Sequence, residues 1–277
     1  MKKVFIGVIS FGLAGLVAFT PVPTAAQDLA AFCSATPGPE EVWVFYLEFS
    51  GVIIRTAEAT IIIDPADMLI SSDIEKLKNV GVDLLFYTHG HGDHFALGSA
   101  LEIFKATQAY VVAEPGVADK LRGKIPPSRL RSAAAGNTLS AGKLKLDLIA
   151  GQHVGPILLV RIQAGDIRIF HGGDSGYVPL SGFPADVAIL PTGRPSPTAS
   201  PEAAFRMASD LKPQVVVTIH GSDAQNVEFE EKVRTGLKQT TVIVPKPGSM
   251  VKLSLRRRPW GGPVSRSDES VSAKRSD

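Results

Sequence analysis

The chain has 277 residues, of which 44% are hydrophobic and 20% are charged. This length and apolar content are enough for a full globular core of packed layers. Lys2 and Lys3 account for the formal charge of +2, because the remaining 27 basic and 27 acidic residues balance. A neutral body offers no basic surface to a phosphate backbone, which argues against nucleic acid as a partner.

The first 26 residues have the pattern of a cleavable signal peptide. Lys2 and Lys3 are followed by uncharged, mostly apolar residues 4–20, then by prolines and small residues. This pattern predicts cleavage after Ala26 and a periplasmic or secreted protein with no stable membrane insertion. An uncleaved anchor is the alternative, because the apolar stretch is longer than most signal cores and short for a transmembrane span.

Short runs of β-branched and aromatic residues predict strands in the first half, after a polar, proline-containing arm at residues 27–41. In chain order, the predicted elements are strands at 42–47, 51–56 and 60–64, a helix at 72–80, a strand at 82–87, a helix at 95–105, a strand at 110–113 and a helix at 117–121.

The second half repeats this alternation of strands and helices. Its predicted elements are strands at 144–149, 157–162, 167–170 and 187–190, a helix from 201 to about 211, a strand at 215–219, a helix at 227–237 and a last strand at 241–244. Ser200 as N-cap and Pro201 in the first turn mark the start of one helix. Two such halves favour two sheets packed face to face with helices outside. Residues 256–277 lose all periodicity, which predicts a disordered tail after a domain at 42–255.

The strongest chemical signal is the segment His89–His94, which reads HGHGDH directly after a predicted strand. Imidazole nitrogen and carboxylate oxygen are good ligands for zinc and similar divalent ions. His89 and His91 point the same way on extended backbone, so they can bind one ion together. Asp93 and His94 lie where the chain turns into a helix, so they can face a second ion.

The other three histidines each follow a strand-like run and lie beside or near glycine. His153, His171 and His220 occupy such positions, and Asp174 follows His171 after two glycines. Loops at strand ends commonly converge on a functional site. Taken singly, each histidine is more typical of a structural or solvent-facing role, but together they supply ligands that two ions still lack.

The order HxHxDH, then one His, then an Asp in a glycine-flanked turn, then a final His resembles the metallo-β-lactamase superfamily over about residues 42–244. The segments IIIDP at 61–65, HGGDSG at 171–176 and LKPQVVVTIH at 211–220 resemble its branch of ascorbate-6-phosphate lactonase-like and related uncharacterised metal-dependent hydrolases. The resemblance implies a four-layer αββα sandwich of two mixed sheets.

The resemblance also implies a role for each position of the motif. The first ion would be held by His89, His91 and His153, the second by Asp93, His94 and His220, with Asp174 bridging both. Asp64 would order the His-rich loop from behind the ligands. His171 matches no ligand position, so we interpret it as a hydrogen-bonding residue behind the ligands.

Two stretches that would lie near the mouth of the pocket depart from the branch pattern. The chain has Glu48-Phe49-Ser50 where those proteins usually carry Gly-His-Ser/Ala. The residues that follow the final histidine, GSD at 221–223, also differ from the usual aromatic-containing turn. The resemblance therefore implies the metals but not the substrate. Tyr177 and Arg194 are candidate pocket residues, although a packed or surface role is equally consistent with the sequence.

The implied cofactors are two divalent ions, with zinc first and Mn²⁺ or Fe²⁺ as alternatives. Such ions lower the pKa of a shared water to about 7. The resulting bridging hydroxide would attack an ester-like bond, a lactone or a phosphoester, in a small-molecule substrate. Asp174, as the bridge, and Asp93, as a proton carrier after attack, are the candidate catalytic residues.

Three alternatives stay open at this point. A true β-lactamase commonly uses a Cys ligand, whereas Cys33 lies far from the motif along the chain. A metal-binding protein of this fold without catalytic activity is the second alternative. A di-iron redox site is the third, and it is disfavoured because redox relatives tend to carry an acid at the position of His91.

Overall fold

The computed structural model describes residues 29–256, which form two seven-stranded mixed β-sheets. The strands of the first sheet are β1 (Glu41–Glu48), β2 (Gly51–Arg55), β3 (Thr60–Ile63), β4 (Leu84–Tyr87), β5 (Tyr110–Ala113), β6 (Leu130–Ser132) and β14 (Ser249–Ser254). The strands of the second sheet are β7 (Thr138–Ala141), β8 (Leu144–Ala150), β9 (Leu158–Ala164), β10 (Ile167–His171), β11 (Val187–Pro191), β12 (Val215–Ile219) and β13 (Thr241–Ile243).

The strand order places parallel strands together in each sheet. The orders are β14-β1-β2-β3-β4-β5-β6 in the first sheet and β13-β12-β11-β10-β9-β8-β7 in the second. Strands β3 to β6 run parallel to one another, and so do β10 to β13. Parallel strands end at the same edge of a sheet, which is where the loops of α/β proteins gather functional side chains.

Six helices lie within residues 29–256. They are α1 (Leu29–Ser34), α2 (Ser71–Lys78), α3 (Leu97–Thr107), α4 (Pro115–Leu121), α5 (Pro201–Leu211) and α6 (Asp223–Gly236). Helix α5 begins as predicted, with the Ser200 side chain accepting a hydrogen bond from the Ala203 amide and Pro201 in the first turn. In the described part of the chain, no helix combines the length and apolar character needed to cross a bilayer.

The core has three hydrophobic layers, which correspond to the interfaces of a four-layer sandwich. The inner faces of both sheets share one cluster that includes Ile54 and Phe86 from the first sheet and Ile169 and Val217 from the second. A second cluster joins the outer face of the first sheet to α1–α4, and a third joins the second sheet to α5 and α6. The αββα arrangement predicted from the sequence is therefore confirmed.

Four elements of the fold are absent from the sequence-based prediction. They are α1, β6, β7 and β14, so the expectation that residues 241–244 form the last strand is wrong. Strand β14 pairs antiparallel with β1 and extends the first sheet at that edge. The predicted signal peptide and, apart from Arg256, the predicted tail lie outside the described residues, and α1 falls inside the predicted N-terminal arm.

Candidate metal centre

The predicted ligands lie on loops that follow the ends of strands. The His-rich segment follows β4, Asp174 follows β10, and His220 directly follows β12. His153 comes shortly after β8, from the same sheet as β10 and β12. Because the parallel strands end at one edge, loops from both sheets meet there and bring together residues that are up to 131 positions apart, from His89 to His220.

One group of ligand atoms consists of three imidazoles. The ring nitrogens of His89, His91 and His153 lie within 4.8 Å of one another. His89 Nε2 is 3.0 Å from His91 Nδ1, and His91 Nδ1 is 3.4 Å from His153 Nε2. His89 is buried whereas His91 is exposed, so this group opens to solvent on one side. Three convergent imidazoles are a common ligand set for zinc.

A second group combines two imidazoles with two carboxylates. Ligand atoms of Asp93, His94, Asp174 and His220 also lie within 4.8 Å of one another. Asp174 Oδ1 is 2.6 Å from His220 Nε2 and 3.1 Å from His94 Nε2. Both nitrogens are buried, yet neither makes a hydrogen bond of acceptable angle. Buried polar atoms rarely stay unpaired, so a cation that both can coordinate fits this group.

The Asp174 carboxylate lies between the two groups. Its Oδ1 faces the second group, while Oδ2 is 4.0 Å from His153 Nε2 in the first. The main-chain carbonyl of Asp174 accepts hydrogen bonds from the hydroxyls of Ser196 and Thr198 at 2.7 and 2.9 Å. Gly173 precedes it with φ +51°, a conformation that glycine adopts without strain. These contacts fix the main chain at Asp174, and its role as a bridging ligand stays a prediction.

Asp64 lies directly behind the His-rich loop and is fully buried. Its carboxylate accepts hydrogen bonds from the Thr88 amide at 2.8 Å and from the Thr88 hydroxyl at 2.5 Å. Its Oδ2 is also 2.8 Å from His94 Nδ1. A proton on Nδ1 that is shared with Asp64 leaves Nε2 of His94 free to face a cation. Asp64 therefore contacts Thr88 just before the His-rich segment and His94 at its end, and its ordering role stays a prediction.

The charges in the metal-free centre are those of a site built for cations. Burial lowers the pKa of His89 to about 4, which keeps this imidazole neutral and able to ligate. Burial acts to raise the pKa of Asp174, but the adjacent His220 and His94 rings outweigh it and hold that pKa well below its usual range. Burial likewise acts to lower the pKa of His94, but the Asp64, Asp174 and Asp93 carboxylates raise it to about 12. A proton on His94 thus compensates the negative charge of these carboxylates.

Three other residues singled out in the sequence lie outside both groups. His171 Nε2 is 3.0 Å from the carbonyl oxygen of Ser50, and its Nδ1 accepts a hydrogen bond from the Gly173 amide. The Tyr177 hydroxyl donates to Asp210 on α5 at 3.1 Å. The Arg194 side chain is exposed on the loop between β11 and α5. Tyr177 is therefore engaged in packing rather than turned toward the metal groups.

Sequence reasoning missed hydroxyls that contact the side chains of the predicted ligands, among them those of Ser50 and Thr198. Ser50 Oγ donates to Asp174 Oδ1 at 2.8 Å, and Thr198 Oγ1 is 3.0 Å from His153 Nδ1. Serine and threonine in loops are common, so neither position carries a signal of its own in the sequence. The one available indication was that Ser50 lies in the stretch that departs from the branch pattern.

Comparison with known proteins decides the family. The sequence profile described as the β-lactamase superfamily domain matches residues 44–220, which include every predicted metal ligand. The chain belongs to the metallo-β-lactamase superfamily. A superfamily member from Staphylothermus marinus, named a metal-dependent hydrolase, is 32% identical over 212 residues, which cover 69% of this chain and 88% of that protein. A metal-dependent hydrolase from Thermococcus onnurineus is 30% identical over 213 residues and covers 70% and 92% of the two chains.

Solved structures of similar fold agree with this assignment. Igni18, a metallo hydrolase from Ignicoccus hospitalis, superposes with a TM-score of 0.65 at 26% identity and covers 78% of this chain and all of that one. YhfI of Bacillus subtilis, a metallo-β-lactamase fold protein, has a TM-score of 0.59 at 16% identity, which shows the shared fold. The protein is accordingly a metal-dependent hydrolase of this fold, and its predicted superfamily is confirmed.

Proposed function

We propose that this hydrolase binds two divalent metal ions and cleaves an ester-like bond, a lactone or a phosphoester, in a small-molecule substrate. The observation that carries the proposal is the position of Asp174. Its two oxygens face two separate groups of ligands, and two buried imidazole nitrogens beside Oδ1 lack hydrogen-bond partners. One carboxylate between two such groups is suited to bridge a pair of ions.

The donor set favours zinc at the first position. The first site would have three imidazole nitrogens, and the second would have two imidazoles and two carboxylates. Imidazole suits Zn²⁺ and Fe²⁺, whereas Mn²⁺ prefers oxygen ligands, so the nitrogen-rich first site disfavours manganese and is a common ligand set for zinc. When bound, such ions supply an activated water molecule at neutral pH and polarise the bond to be cleaved.

The chain itself supplies orientation and proton transfer in this mechanism. Asp64 and Thr198 contact Nδ1 of His94 and of His153 and so fix the two ring orientations, which leaves both Nε2 atoms facing Asp174. Asp93 is half-buried, and a contact with His94 lowers the pKa of its carboxylate. The ionised Asp93 carboxylate can accept the proton that hydrolysis releases. Asp174 is ionised, and hydrogen bonds to its main-chain carbonyl hold it in place. Its carboxylate therefore stays between the two groups of ligand atoms.

We further infer that the protein acts outside the cytoplasm, in the periplasm or after secretion. Lys2 and Lys3 before an uncharged stretch support export, and Ala26 supplies a small residue at the cleavage point. A true β-lactamase commonly has a Cys ligand at the second metal ion, and the position of the cysteine in this chain argues against one. Cys33 is the only cysteine, and it packs with the cluster on the outer face of the first sheet.

Metal analysis and a substrate panel test this function on exported protein. We expect a mature chain that begins at Gln27, about two bound ions, turnover of lactones or phosphoesters, and no turnover of nitrocefin. A chelator should abolish activity, and added Zn²⁺ should restore it. Removal of the ions should also destabilise the fold, by about 4 kcal/mol for each ion relative to free metal at 1,000 times its Kd.

Three results would count against the proposal. A protein that carries two ions but is inert toward lactones, phosphodiesters, phosphomonoesters and amides would be a binding protein. Rapid hydrolysis of nitrocefin would identify a β-lactamase instead. A chain that retains Met1 after export would contradict the predicted cleavage.

A further inference from the structure

Ser50 connects the tip of the β1–β2 hairpin to the centre of the proposed metal site. The residue is fully buried, and its hydroxyl donates to Asp174 Oδ1 at 2.8 Å. The same oxygen lies 2.6 Å from His220 Nε2 and 3.1 Å from His94 Nε2. Ser50 therefore contacts the side of Asp174 that faces the second group of ligands.

The Ser50 hydrogen bond restricts how the Asp174 carboxylate can turn. Each carboxylate oxygen offers about two lone-pair directions. The Ser50 hydroxyl occupies one of them at Oδ1, which leaves the other for the space between His94 and His220. Without this bond, rotation of the carboxylate would be limited chiefly by the two histidines, since the Ser196 and Thr198 hydroxyls hold only the main-chain carbonyl.

His171 holds the backbone of Ser50 in place from the opposite sheet. Its Nε2 donates to the Ser50 carbonyl oxygen at 3.0 Å, while its Nδ1 accepts from the Gly173 amide at 3.1 Å. Burial lowers the pKa of His171 to about 4, so the ring is neutral and its single proton lies on Nε2. Both nitrogens are thus paired, which fixes the ring and its tautomer.

The hairpin has little room to adjust on its other side. A Cβ on Gly51 would lie 2.7 Å from Met68 Cε and 3.0 Å from the Asp64 carbonyl oxygen, so the backbone after Ser50 is packed tightly against that segment. The position of the Ser50 hydroxyl is therefore determined by His171 on one side and by this packing on the other.

We propose that His171 and Ser50 form a positioning relay that fixes Asp174 Oδ1 for the second metal ion. The inference rests on the two-ion site proposed above. In this relay neither residue contacts the metal or the substrate. His171 orients Ser50, and Ser50 orients the bridging carboxylate.

Metal affinity tests the relay without any knowledge of the substrate. Purified protein is titrated with Zn²⁺ against a chromophoric chelator, and the absorption spectrum of the Co²⁺-loaded protein is recorded. We expect Ser50→Ala to weaken the weaker-binding Zn²⁺ by 10- to 100-fold, the usual range for loss of a partner behind a ligand. The cobalt spectrum should change, whereas Ser209→Ala, which removes a hydroxyl bonded within α5, should match the wild type.

His171 provides a matched pair of substitutions. A glutamine amide nitrogen can take the place of Nε2 and donate to Ser50, whereas asparagine reaches only the position of Nδ1. We therefore expect His171→Asn to weaken the same Zn²⁺ and His171→Gln to retain most of the affinity. In a Ser50→Ala background, His171→Asn should cause no further loss, because its effect passes through Ser50.

Two outcomes would overturn the relay. One is a Ser50→Ala protein that has unchanged affinities for both ions and an unchanged cobalt spectrum. Thermal unfolding of the metal-free chain would show that this variant is folded. The other is a double variant in which the losses of Zn²⁺ affinity caused by Ser50→Ala and by His171→Asn multiply in full. If Ser50→Ala does not fold, Ser50→Cys and the His171 pair give the same comparison. An inert protein with two normal ions would contradict the proposed hydrolysis and leave the relay intact.

Discussion

Replacement of Asp174 with alanine is expected to remove the second metal ion and reduce hydrolysis by at least about 100-fold. Loss of a partner behind a ligand already costs 10- to 100-fold, and Asp174 is proposed to be the ligand that both ions share. Its Oδ1 and Oδ2 are the oxygens that face the two groups of histidines. Metal content by mass spectrometry and turnover on the active substrate class are the measurements.

The same experiment needs a control that removes an ordinary carboxylate. Asp119 is exposed on α4, where it pairs only with the exposed Arg122, so Asp119→Ala should keep full metal content and full turnover. An Asp174→Ala protein that holds two ions and hydrolyses at a near-normal rate would refute the bridging role.

Replacement of Asp64 with alanine is expected to give the largest loss of folding stability among variants of the site. The carboxylate pairs with the Thr88 amide, the Thr88 hydroxyl and His94 Nδ1, all of them buried. Removing one partner of a buried ionic pair costs about 3–5 kcal/mol, and the charge on His94 would lose its nearest counterion. Denaturant unfolding of the metal-free chain measures this free energy.

Asp64→Asn is the informative comparison for that variant. Asparagine can still accept from the Thr88 amide, and it tolerates the left-handed backbone that Asp64 adopts at φ +48°. Asparagine carries no negative charge to pair with His94, so we expect an intermediate loss of folding stability and weaker binding of the second ion. Equal stability of wild type, Asp64→Asn and Asp64→Ala would contradict the ordering role of Asp64.

The sandwich could be predicted because most of its strands are short apolar runs that are buried on both faces. β3, β4 and β12 are examples, with every residue buried. The elements that escaped prediction have weaker patterns. Only the last residue of β7 is buried, and β14 mixes buried with exposed positions, since both lie at sheet edges where one side contacts no further strand.

The residues of the candidate site also divide into those that a sequence pattern predicts and those that it does not. The HGHGDH segment carries its own signal, because the chemistry of histidine and aspartate at that spacing is rare outside metal sites. Ser50 and Thr198 contact the predicted ligands only because the fold brings distant parts of the chain together. Ser50 is 124 residues from Asp174 along the chain, and Thr198 is 45 residues from His153. No local pattern encodes such contacts, so they emerge only once both sheets are assembled.

Anomalous diffraction from crystals of the zinc-loaded protein, recorded at the zinc absorption edge, tests the central claim most directly. We expect two peaks about 3.5–4 Å apart. One should lie among His89, His91 and His153, the other beside His94 and His220, with the Asp174 carboxylate between them. A single peak, no peak, or zinc bound away from Asp174 would contradict it.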